Sequence, residues 1–203
     1  MTGKLQNLRS ILQQLSLAEG CNPTGIPYIT AHRHALADVS IPDTPTPFVY
    51  LVVDGVMRLH TEAGLKYHSV GQYFVSAIDS PASALALDAS PETPFLAVSA
   101  EFCVEDIIGV MLDIDGDFPE RLLATDSNTA TAPHGTSKIL DIIIRLLDMR
   151  GKADELAFML KHLKRELIFD VIMGPHGKEF IENTINIQQS GDIYSVNSWI
   201  KQN

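Results

Sequence analysis

Cysteine is scarce in this 203-residue chain, and the two present, Cys21 and Cys103, form no Cys-x-x-Cys pair. That spacing excludes the common thiolate metal sites and dithiol redox motifs, and lone thiols suit a reducing cytosol. Dense basic runs are also missing. The fullest, Lys161 with Lys164-Arg165, is broken by apolar residues, and 25 acidic against 15 basic side chains leave a net charge of −10. Nucleic-acid binding draws on concentrated Lys and Arg, so the chain by itself is expected not to bind DNA. No uninterrupted apolar run is long enough to span a bilayer, because Asp141 and Arg145 divide the stretch Ile139 to Leu147. The start, Met1-Thr2-Gly3-Lys4, leads into an amphipathic stretch rather than a signal peptide. A cytoplasmic location is the expectation. Gly-x-Ser-x-Gly, Gly-x-Gly-x-x-Gly and Gly-Lys-Ser/Thr are absent, and neither cysteine sits where its pKa would fall. The expectation is no enzyme and no cofactor.

Patterning of the chain runs helix, strands, helices. Leu5, Leu8, Leu12 and Leu15 make a helical stripe that ends at Gly20 and Asn22-Pro23. From about Ile26 to Phe102 the signals are those of strands. Phe48 to Val53 is aromatic and β-branched, Asp54-Gly55 is a hairpin turn, and Val56 to Thr61 sets Met57 and Leu59 against Arg58 and His60. Glu62-Ala63-Gly64 makes the next turn, and the Pro42, Pro45, Pro47 group reads as a rigid loop. Helices follow at Val104 to Ile114, Thr136 to Met149 and Ala153 to Met173, the last stopped by Gly174-Pro175. A final short helix is expected after a cap at Asp192. In the second of these helices Lys138, Asp141, Arg145 and Asp148 form one charged stripe, with support expected between neighbours along the helix.

One constellation suggests metal chemistry. His32 and His34 share a side of a strand, and with Asp38 they make a two-imidazole, one-carboxylate set. The spacing approaches the cupin pattern Gly-x5-His-x-His-x3-Glu, but Gly25 lies too far upstream, Asp38 replaces the Glu, and no third histidine follows a Pro-x-Gly. A metal-free protein is expected, with a metal-dependent cupin enzyme using His32, His34 and Asp38 as the alternative. Asp113, Asp115 and Asp117 beside Gly116 lack the terminal Glu of a calcium loop and read as a solvated turn.

Three segments resemble the N-terminal domain of AraC/XylS-type transcriptional regulators. They are Tyr67-His68-Ser69-Val70-Gly71-Gln72-Tyr73-Phe74-Val75-Ser76 with its trailing Asp79-Ser80-Pro81, then Ala89-Ser90-Pro91-Glu92-Thr93-Pro94-Phe95, then Lys164-Arg165-Glu166-Leu167 running to Gly174-Pro175. Two details depart from the pattern: Val56-Met57 separate Gly55 from Arg58, and the usual Pro before the Arg-Glu pair is replaced near Lys161. The resemblance implies an α+β fold: a cupin-like antiparallel β-barrel with an N-terminal helix and a C-terminal helical subdomain. The implied division is 1–103 for helix and barrel and 104–203 for the helices. It also implies a ligand-sensing and dimerisation role, with DNA contacted through a helix-turn-helix domain that this chain ends before. A small-molecule effector would lie in the barrel, and His34, Tyr50, Arg58 and Tyr73 are the polar residues in strand-like runs that can face it. For a homodimer, Leu156, Leu160, Leu163 and Leu167 offer a near-heptad seam. The same leucines can instead fill a contact with Ile139, Ile143 and Leu147 inside one chain.

Overall fold

The computed structural model describes residues 2–15, 18–39, 41, 46–61, 64–76, 83–114, 117–124 and 134–202, without the side chains of 119, 120, 134, 135 and 190–202. The loop prolines Pro42 and Pro45, the Glu62-Ala63 turn, Asp79-Ser80-Pro81 and the Asp115-Gly116 turn lie outside the described residues. Helix α1, Thr2–Gln14, opens the chain. Eight strands follow: β1 Gly20–Pro23, β2 Ile29–His34, β3 Phe48–Asp54, β4 Val56–Thr61, β5 Gly64–Ser69, β6 Tyr73–Val75, β7 Ser83–Leu87 and β8 Phe95–Glu101. Five helices complete it: α2 Val104–Ile114, α3 Phe118–Ala124, α4 His134–Asp148, α5 Ala153–Ile172 and α6 Gly177–Gln202.

Among the described residues all strand pairings are antiparallel, in two sheets: β1-β2-β8-β3-β6 and β5-β4-β7. The α+β class and the cupin-like pair of antiparallel sheets hold, with one correction. The barrel is not closed; the two sheets face each other with separate edges. The hairpin at Asp54-Gly55 crosses between them. Gly55 takes φ 85°, and a Cβ there would stand 3.2 Å from the Phe95 ring, so both backbone and space demand glycine. Residues 37–39 extend the smaller sheet, through an Asp38–Leu85 bridge and bonds from Val39 N–H to Ala84 O and Ala86 N–H to Ala37 O.

Side-chain alternation divides the core in two. Phe48, Tyr50 and Val52 of β3 turn toward the smaller sheet with Phe95, Ala97, Phe74, Met57, Leu59, Ala84 and Ala86. Val49, Leu51 and Val53 turn the other way, onto a larger cluster built with Leu8 and Leu12 of α1, Ile107 of α2, Leu140 and Ile143 of α4, Leu167 of α5 and Phe180 of α6. That cluster joins strands and helices across position 103, so the change of pattern there is not a break in the core.

Four expectations change at the helices. The α4 stripe is paired between helices rather than along one: Lys4 bonds Asp141, Lys138 bonds Asp170 at 3.2 Å, and Arg145 bonds Glu166 at 3.0 Å. An apolar helix covered on several sides has only this stripe left for charge, and the partners sit on α1 and α5. Secondly, α6 begins just past Gly174-Pro175 and runs 26 residues, so Asp192 lies within it instead of starting it. The buried Phe180, Ile181 and Thr184 explain the longer helix: one stripe packs on the core, although the segment as a whole is polar. Thirdly, β1 and α3 form without a strong local signal, β1 by pairing with β2.

Fourthly, the leucine seam of α5 is occupied. Leu163 and Leu167 are wholly buried in the chain's own core, and Leu156 and Leu160 pack half-buried against it. The large apolar side chains left exposed along α5 and its C-cap are Phe158, Phe169 and Met173. Leu163→Lys should therefore destabilise the domain strongly, since an unpaired buried ammonium costs about 3 kcal/mol or more of a total near 5–15 kcal/mol. Phe158→Lys, 70% exposed, should leave the melting temperature within a few degrees. Circular dichroism melts of both variants check this; a well-folded Leu163→Lys monomer would contradict it.

Candidate functional site

The space between the sheets is the polar anomaly of the fold. Register places His32 and His34 of β2 opposite Ala97 and Phe95 of β8, and Tyr50 of β3 opposite Ser99 and Phe74. His68 of β5 lies opposite Met57. The rings form a continuous row. His34 to His32 is 6.5 Å between centroids, His32 to Tyr50 4.8 Å, Tyr50 to Phe74 5.2 Å and Phe74 to His68 4.9 Å. Phe48 meets Phe74 edge-on at 6.0 Å.

Polar atoms in this row are treated unequally. His32 is served on both sides, with Nε2 2.8 Å from Ser99 Oγ and Nδ1 3.5 Å from Cys21 Sγ at the sheet's edge. His34 Nε2, Tyr50 Oη and His68 Nε2 are buried with no hydrogen-bond partner among the described residues. Each such group costs about 1–3 kcal/mol relative to a satisfied one. Burial also keeps the imidazoles neutral. It lowers His32 to about 3, helped by His34, and His68 to about 4, helped by His176 and Lys66. Burial lowers His34 too, against the opposing pull of Glu19 and a backbone hydrogen bond at Asp38. The Tyr50 phenol is pushed upward by burial and stays protonated.

Two of the four expected ligand residues, His34 and Tyr50, meet in this space. Tyr73 turns to the opposite face, where its ring lies 5.1 Å from His176 and a Cβ on Gly174 would fall 2.5 Å from its hydroxyl. Its oxygen is also buried without a partner among the described residues. Arg58 points outward, beside Tyr67 and Leu85. His32 and His34 are adjacent, but Asp38 is exposed on the segment that bridges to β7, and no metal-holding cluster occurs among the described residues. His68, Phe74 and Ser99 were not singled out from sequence. His68 had a signal in its alternation with Tyr67, read from the pairing of β5 with β4. Tyr73, Phe74 and Val75 are all buried, so periodicity gives no sign of which one faces inward.

Residues 25–179, more than half of the chain, match the family described as the AraC-type transcriptional regulator N-terminus. The chain belongs to that family. The match covers strands β2 to β8 and runs into the first turn of α6. Two solved structures are similar over parts of this AraC-type domain. One is a cupin domain from Bordetella pertussis Tohama I, 17% identical, covering 42% of this chain and 95% of its own, with a TM-score of 0.31. The other is protein NMB1881 from Neisseria meningitidis, 20% identical, covering 45% and 95%, with a TM-score of 0.30. No curated protein matches the sequence. No helix among the described residues is long and apolar enough to cross a membrane.

The neutral histidines of this AraC-type domain set a pH dependence. An unfolded histidine takes up a proton near 6.5, whereas His32 and His68 do so only near 3 and 4 when folded. The unfolded state therefore binds more protons between those limits, and stability falls as pH drops from about 6.5 toward 4. The depressed Glu179 and Asp106 add a further loss on acidification, but only below the ordinary carboxylate range. Urea midpoints at pH 7.5, 6 and 5 should decline in that order, and His68→Phe should flatten the slope. A midpoint constant over that range would refute neutral burial.

Proposed function

We propose that this domain senses a small molecule held between its two sheets and passes the result to α6, so changing how an attached DNA-binding domain is presented. The observation that carries the reading is the set of three buried, unpartnered polar atoms, His34 Nε2, Tyr50 Oη and His68 Nε2, on one aromatic row. A bound effector with matching groups would satisfy them, and family membership supports a regulatory role. On this reading the domain is not an enzyme and carries no cofactor. DNA is contacted only through a helix-turn-helix domain, consistent with the net charge of −10. The regulator works as a cytoplasmic homodimer, joined through surfaces other than the buried Leu163 and Leu167. Residues 1–103 supply the site and 104–203 the response.

Strand β6 supplies a route between the two. It is a three-residue edge strand held by β3 alone. Phe74 reaches into the aromatic row, while Tyr73 meets His176 on the other face. One residue on, Ser76 accepts a 3.0 Å bond from Phe48 N–H and a 2.8 Å bond from buried Asn183 of α6. A 26-residue helix is roughly 39 Å long, so a tilt of about 10° at its root displaces its tip by about 7 Å.

Two variants test the site and the route. Tyr50→Phe removes an unsatisfied hydroxyl and should stabilise the ligand-free domain by about 1 kcal/mol, raising its melting temperature by a few degrees. The same variant should lose whatever thermal shift a metabolite collection produces in the parent chain; no shift with any compound in the parent would sink the sensing role. Ser76→Ala should raise hydrogen exchange in residues 177–189 about fivefold or more while leaving α4 unchanged. Equal acceleration in both helices would deny β6 a special part.

A further inference from the structure

The class of molecule that the inter-sheet space accepts can be read from its charges. Register turns His32, His34, Tyr50, His68, Phe74 and Ser99 toward it, and the charged side chains that register puts on the same face, Glu101 opposite Phe48 and Lys66 opposite Leu59, stand half-exposed and exposed at its ends. The one buried carboxylate among the described residues, Asp170, lies on α5 and takes Lys138 as partner. Charge reaches only the rim, and in both signs: Glu19 is 3.9 Å from His34 Nδ1, while Lys66 of β5 and the half-buried Glu179 of α6 both act on the His68 ring. Ala84, Ala86 and Ala97 keep the walls shallow opposite the rings.

We infer that the site takes an uncharged molecule with hydroxyl or carbonyl groups on a compact apolar frame, and that it rejects carboxylates and ammonium compounds. The Tyr50 phenol is a donor seeking an acceptor, and each free imidazole nitrogen can donate or accept according to tautomer. Hydroxyls and carbonyls satisfy all three, and the ring faces of Tyr50 and Phe74 cover an apolar frame. A carboxylate would find neutral donors, the phenol and the imidazoles, but no cation inside, since Lys66 stands exposed at the rim. Its desolvation is then uncompensated, and its affinity should fall by about a hundredfold or more against the matching alcohol. An ammonium ion meets the mirror problem, with no buried anion to receive it.

This inference rests on the sensing role proposed above, and matched probes separate the two. Saturation-transfer NMR and calorimetry on the 203-residue chain at pH 7.5 would compare benzyl alcohol with benzoate and benzylamine, propane-1,2-diol with lactate, and glucose with gluconate. Tyr50→Phe and His68→Phe, on different sheets, report whether binding is at the site, and the second stands in if the first does not fold. The expected result is binding of at least one uncharged probe, weakened in a variant, with its charged counterpart about a hundredfold weaker or silent. A charged probe bound as tightly as its neutral partner, and weakened by the same variants, overturns the class while leaving the sensing role intact. Silence from all seven probes, or binding indifferent to both variants, removes the inter-sheet space as the site and the inference with it.

Discussion

The centre of the five-stranded sheet, strands β8 and β3, is buried on both faces, and the rest of the structure depends on that constraint. Every residue of β3 from Phe48 to Val53 is withdrawn from water, one set against the smaller sheet and the other against α1, α4 and α5. A sheet covered on one side only would leave one set wet. Covering both requires the smaller sheet and a helical layer, and the buried apolar side chains of the helices share one cluster with Val49, Leu51 and Val53. It also gives the sheet two audiences: any side chain on the inner face is one peptide unit away from a side chain on the outer face.

The inner face is where the fold accepts a cost. An apolar core of the same size would hold Phe at position 50 and leucine at 34 and 68 without any polar atom to satisfy. Here a phenol and three neutral imidazoles stand in a row, and His34 Nε2, His68 Nε2 and Tyr50 Oη have no partner among the described residues, whereas His32 has both nitrogens engaged. Groups of that kind persist in cores chiefly where something else completes them. Their location beside β6, whose neighbouring residues grip α6 through Asn183 and His176, joins the costly face to the helix that leads out of the domain.

Charge plays a secondary and different part. Ion pairs tie the helices to each other, with Lys164 to Asp106, Arg165 to Asp113, Arg145 to Glu166 and Lys4 to Asp141, and all lie on the half-exposed margins of the helical layer. Such pairs are worth little individually. Their role is to orient apolar helices that would otherwise pack in several rotations.

The sequence by itself determined the elements wherever one face of an element meets water. The alternation of Met57 and Leu59 with Arg58 and His60 identified β4 and its inward side, the Asp54-Gly55 turn placed the hairpin, and the leucine stripe placed α1. Family membership was legible too, since the quoted segments run through β5, β6 and α5. Tertiary structure alone decided the rest, because double burial erases the periodicity that distinguishes faces. Tyr73 and Phe74 are equally buried neighbours in sequence, and only the packed structure shows that Phe74 meets Tyr50 and His68 while Tyr73 meets His176 just before α6. The seam leucines of α5 carry a spacing equally suited to a partner chain or to their own core; the converging cluster of α4, α5 and the sheet claims Leu163 and Leu167. Likewise α6 has too weak a stripe to announce its first half, and it is helical there because Phe180 and Ile181 find a core that other parts of the chain have built.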